Sequence, residues 1–115
     1  TWGAEFNSGF GVNPGRSLEV EFQKNVYGAF TGTEVGNWLN KIGSDTIMIV
    51  GIYTHACVST TAREAIMREL NVYIDPDGTG ACDMVHELLG RLTADEVRRS
   101  ALLQLANMGA IITSK

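Results

Sequence analysis

The sequence has no uninterrupted apolar run of membrane-spanning length, which excludes a transmembrane helix and implies a soluble chain. It has no excess of basic residues. Nine Lys and Arg against thirteen Asp and Glu leave a formal net charge of −4. The electrostatic basis for a nucleic-acid or anionic-membrane partner is therefore missing. No secretory leader is evident, although the chain opens at Thr1 rather than at a methionine, which leaves processing or a fragment open. Only two cysteines occur, Cys57 and Cys82, enough for a single disulfide. Without secretory features, free thiols and a cytoplasmic location are the expectation. Repeats and low-complexity segments are also missing. A further absence bears on chemistry: the residues before Lys24 hold no aspartate, and Glu5, Glu19 and Glu21 are their only acids.

What remains suits one globular domain. The chain has 115 residues, 44% hydrophobic and 19% charged, too apolar and too weakly charged for a disordered chain. Residues 1–17 are rich in Gly, Asn and Ser and read as loop. "LEVEF" at 18–22 alternates apolar and acidic residues, which predicts a short strand ending beside Lys24. In "FTGTEVGNWLNKIG", Thr33 is the expected N-cap and Gly43 the stop of a helix with Val35, Trp38, Leu39 and Ile42 on its apolar face. "TIMIVGIY" is continuously apolar, the pattern of a strand buried on both faces in a parallel sheet. From Val58 the period becomes helical, through Ala62, Ala65, Ile66 and Leu70. "NVYI" predicts another strand, followed by a turn in "DPDGTGACD". Thr93 caps a last helix and Gly109 stops it before "AIIT", a final strand.

This alternation predicts an α/β fold, a three-layer parallel sheet with helices on both faces and right-handed crossovers. Ligands of such sheets bind beyond the carboxyl ends of the strands. Lys24 and Cys57 each follow a predicted strand, so they are expected to be neighbours despite their separation in sequence.

Cys57 falls at the start of a helix, where backbone N–H groups and the helix dipole favour negative charge on sulfur. The same N–H groups can hold an oxyanion. A small buried residue packing a strand–helix corner is the other reading, and spacing alone leaves the two even.

"GIYTHACVSTTAREA", residues 51–65, resembles the nucleophile motif of the isochorismatase-like cysteine hydrolases, matching at Gly51, Thr54, His55, Cys57, Val58, Thr61 and Ala65. "KNVYGAFTGTEV" is similar to an upstream family motif at Lys24, Tyr27, Ala29, Phe30 and Thr33, with Val35 in place of Leu. The resemblance runs in order over essentially the whole chain. It implies a Rossmann-like isochorismatase-like fold and an Asp–Lys–Cys triad that cleaves a C–N bond of a small amide or ureido compound through a thioester. Cys57 would be the nucleophile and Lys24 its partner. A cis peptide at Ile52–Tyr53 would direct the amides of Tyr53 and Cys57 into an oxyanion hole. Tyr27, Phe30 and His55 are candidates to line the substrate pocket. The resemblance also implies a homo-oligomer.

The triad's aspartate has no counterpart here. Family sheets have six strands in the order 3-2-1-4-5-6, and the four predicted here correspond to the third through the sixth. The expectation is that residues 1–115 form one domain, the C-terminal portion of a longer polypeptide lacking the first two strands. The missing aspartate would then come from a complementary N-terminal segment, without which the chain should be inactive. An isochorismatase-type vinyl-ether hydrolase is an alternative, disfavoured by the presence of Cys57. A non-catalytic remnant serving interaction or oligomerisation is the other.

"DPDGTGACDMVHE" imitates a calcium loop through Asp75, Asp77, Thr79, Gly80 and Asp83 but places His86 where a bidentate Glu is required. A turn is the better reading. Cys82 and His86 belong to no motif, and these residues give no reason to expect a cofactor or a metal.

Overall fold

The computed structural model describes residues 19–113. The predicted loop over 1–17, and Leu18 of the first predicted strand, lie outside the described residues. Helix α1 spans Val35–Ile42, strand β1 Thr46–Ile52, helix α2 Ser59–Met67 and strand β2 Asn71–Gly80. A hairpin follows, β3 Met84–His86 and β4 Gly90–Leu92, then helix α3 Ala94–Asn107 and strand β5 Ile111–Ile112. A single π-helical turn, Thr54–Val58, joins β1 to α2. The sheet is parallel, in the order β1-β2-β5. The α/β class predicted from the alternation is the class observed.

One core holds these pieces together. Ile49 of β1, Val72 and Ile74 of β2, Ala62 and Ala65 of α2, and Leu102 and Leu105 of α3 are buried in it. Val58, Ala62 and Ala65 realise the helical period read from the sequence, and Ile66 and Leu70 pack against the same cluster. Arg63 on α2 donates to Gln104 Oε1 on α3 at 3.0 Å, tying the two helices across that face.

Four details depart from the sequence-based expectation. Glu19–Phe22 form no strand, because a strand needs a ladder partner and none of the described residues offers one; Phe22 instead packs edge-to-face on Trp38. Strand β1 is buried on one face only. Ile49 is in the core, whereas Met48, Val50 and Ile52 are 57%, 59% and 66% exposed, since no second layer among the described residues covers them. The "DPDG" turn is an excursion inside β2: pairing passes from Ile49–Ile74 to Gly51–Thr79, and the Asp75 carboxylate accepts the Asp77 N–H at 2.9 Å across the loop. The hairpin β3–β4 is new. His86 Nδ1 accepts the N–H groups of Leu88 and Leu89 at its turn.

Caps follow the sequence more closely. Thr93 and Glu96 form a reciprocal capping box at α3. Gly43 ends α1 in the left-handed region at φ 73°, which a side chain would strain. Thr33, the expected N-cap of α1, sits one residue before the observed cap, Glu34; its hydroxyl still accepts the Val35 N–H at 3.3 Å.

Candidate active site

The π-helical turn delivers Cys57. Such turns insert one extra residue into a helix and often occur where a side chain must be re-aimed. The Tyr53 carbonyl accepts the N–H groups of Ala56 at 3.0 Å and Val58 at 3.2 Å, fixing the turn to the end of β1. The Ile52–Tyr53 peptide bond is cis. Thr54 is fully buried, with a hydroxyl that has no partner among the described residues.

Lys24 comes to Cys57 from the other side. Its Nζ lies 3.3 Å from Cys57 Sγ and donates to the Val26 carbonyl at 3.1 Å. A positive charge at that distance stabilises negative charge on the sulfur. Both cysteines are free, and Cys82 has no part in the contact. Lys24 does not follow a strand here, so its adjacency to Cys57 has another origin.

That origin is a row of contacts along α2. Thr61 stands one helical turn past Cys57, Glu64 two turns past it, and Arg68 three. Thr61 Oγ1 accepts the Ala29 N–H at 3.0 Å, and Glu64 Oε1 accepts the Phe30 N–H at 3.1 Å. Thr31 donates its hydroxyl to Glu64 Oε2. The Arg68 guanidinium lies 4.9 Å from the centre of the Phe30 ring. The motif residue Thr61 was visible in the sequence, but Glu64 was missed; its spacing from Cys57 and Thr61 on one helical face was the available signal.

Beside the Lys24–Cys57 pair is a cavity of about 370 Å³, lined by Lys24, Ala29, Ile52, Cys57, Thr61 and the apolar side chains of β1. Among the described residues no acidic side chain lines it, and neither Glu19 nor Glu21 reaches it. The three residues expected to line a substrate pocket do not meet here. Tyr27 is 64% exposed, and Phe30 is buried in the core, where it anchors its loop. His55 stacks on Tyr53 at 5.5 Å and lines a separate cavity of about 170 Å³ with Ser59, Ser100 and Gln104. Two residues from Cys57, it points to a different side of the turn. Among the described residues no group of His, Cys, Asp and Glu converges as metal ligands, and no helix is long and apolar enough to cross a membrane.

These features define a parallel α/β protein with a cysteine–lysine pair at the carboxyl end of its sheet. The whole chain, residues 1–115, matches the isochorismatase domain family, and the protein belongs to that family. It is 32% identical over 98 residues to a secreted isochorismatase effector of Verticillium dahliae, covering 84% of this chain and 49% of the effector. It is 39% identical over 57 residues to nicotinamidase 3 of Arabidopsis thaliana, covering 50% of this chain and 29% of that protein. The crystal structure of a cysteine hydrolase from Pseudomonas syringae superposes with a TM-score of 0.76 at 30% identity, over 79% of this chain and 43% of that one. The chain thus spans about half or less of the length of these relatives.

Proposed function

We propose that the chain is the cysteine- and lysine-bearing part of a hydrolase that cleaves a C–N bond in a small amide or ureido compound. The 3.3 Å approach of Lys24 Nζ to Cys57 Sγ carries this reading. The Cys57 thiolate attacks the carbonyl carbon, and the oxyanion is held by the backbone N–H groups of Tyr53 and Cys57. The tetrahedral intermediate collapses with loss of the amine, which takes a proton from a carboxylic acid. Water, deprotonated by the resulting carboxylate, then releases the acid from the thioester. The Lys24 ammonium stabilises negative charge on the sulfur before attack and when the thiolate leaves.

Among the described residues lining the cavity, none supplies the carboxylate. In this reading it comes from a further segment that covers the exposed side of β1. The similarity to a nicotinamidase and to a protein named a cysteine hydrolase supports amide chemistry at a cysteine. A cytoplasmic location and assembly as a homo-oligomer belong to the same proposal.

The test is ammonia release from a panel of small primary amides and ureas, with trapping of the acylated enzyme by denaturing mass spectrometry. An acyl adduct on the Cys57 peptide, absent from Cys57→Ala, is the expected result. Turnover that survives Cys57→Ala would sink the reading.

A further inference from the structure

We infer that Glu64 is a positioning residue that fixes Lys24 against Cys57, an inference that rests on the proposed pairing of those two side chains. The segment carrying Lys24 has no ladder or helix to set its course. Its backbone N–H groups must find acceptors elsewhere, and a carboxylate is the strongest one available. Glu64 divides its two oxygens between the Phe30 N–H and the Thr31 hydroxyl. The fit is close enough that a Cβ at Gly28 would collide with the carboxylate. Phe30, 4% exposed, pins the same stretch to the core. Because α2 continues directly from the turn bearing Cys57, holding residues 28–31 on α2 also registers Lys24 with the sulfur. A carboxylate that did not position Lys24 would, when removed, leave the positive charge beside Cys57 in place.

The experiment compares alkylation of Cys57 by neutral iodoacetamide and anionic iodoacetate at one neutral pH. Peptide mass spectrometry reads both reagents, with Cys82 as internal reference and the full polypeptide as it exists in the cell. The iodoacetate-to-iodoacetamide ratio reports positive charge beside the sulfur. Glu64→Ala is expected to lower it about three- to fivefold, the scale of one unit charge at roughly 4 Å in a water-like dielectric. Glu64→Gln retains an acceptor for the Phe30 N–H and is expected to stay within about twofold of wild type. In a Lys24→Gln background, Glu64→Ala should lower the ratio no further.

The sign makes the outcomes separable. Simple removal of a negative charge would raise the ratio, so an unchanged or higher ratio in Glu64→Ala, with Lys24→Gln still lowering it, overturns the role of Glu64 alone. A ratio unaffected by Lys24→Gln overturns the Lys24–Cys57 pairing itself. If Glu64→Ala does not fold, Gly28→Ala, which displaces the carboxylate sterically, and Thr31→Val, which removes one donor, decide the question by the same ratio.

Discussion

Ala29 donates its backbone N–H to the hydroxyl oxygen of Thr61 at 3.0 Å, and Thr61 stands one helical turn past Cys57. A loop with no regular structure is thereby fastened to the helix that leads away from the thiol. Thr61→Val keeps the volume and removes the acceptor. It is expected to lower unfolding stability by about 1–2 kcal/mol, the cost of leaving a partly buried N–H without a partner. It should also slow Cys57 alkylation, because Lys24 rides on the same loop. Denaturant unfolding and alkylation rates on one sample check both. A stability loss with no change in rate would separate the loop from the site.

The two cysteines offer an internal comparison. Lys24 Nζ contacts Cys57 and not Cys82. At neutral pH, Cys57 is expected to react with iodoacetamide about tenfold faster than Cys82, since the thiolate is the reacting form and a neighbouring cation favours it. Lys24→Ala should remove most of that advantage. Equal slow rates in the wild type would instead favour the non-catalytic remnant.

Acid sensitivity has a definite location. The Glu96 carboxyl is held below its ordinary value of 4.5, first by the Thr93 backbone N–H and then by the Thr93 hydroxyl. The Asp83 carboxyl is held below its ordinary value of 3.8, first by the Ala94 N–H and then by the Arg91 guanidinium. A carboxyl with a lowered folded-state value adds stability that is complete above the unfolded value. That stability disappears as pH falls through the folded value. Glu96→Gln is therefore expected to melt below wild type at neutral pH, and the gap should close in acid. Melting temperatures across this range check the sign; a gap that widens in acid would contradict it.

The parts of the fold legible in the sequence were those whose signal is local. Thr93 and Glu96 stand at capping-box spacing, and the box forms. The apolar run at 46–52 announced a strand, but burial on both faces depends on what covers Met48 and Val50, which no local pattern records. Lys24 and Cys57 were expected to meet because each should follow a strand. They do meet, although Glu19–Phe22 form no strand; the contacts from Thr61 and Glu64 hold the loop instead. Strands β3 and β4 were illegible for a plainer reason. At three residues each, with Met84, Val85 and Leu92 all exposed, they show neither alternation nor a buried face.

Val50 gives the most direct access to the proposed source of the missing carboxylate. Its side chain is 59% exposed on the uncovered side of β1 and lines the cavity beside Lys24 and Cys57. If a further segment covers that side, Val50→Asp places a charge in an apolar interface and is expected to cost about 1–3 kcal/mol. Amide turnover should fall with it, since the carboxylate-bearing segment would be displaced. If water covers that side, the substitution should stay within about 0.5 kcal/mol, as surface changes usually do. Native and denaturing mass measured on the same preparation shows whether additional polypeptide accompanies the 12.5 kDa chain. A neutral Val50→Asp in a preparation that carries such polypeptide would remove β1 as its docking surface.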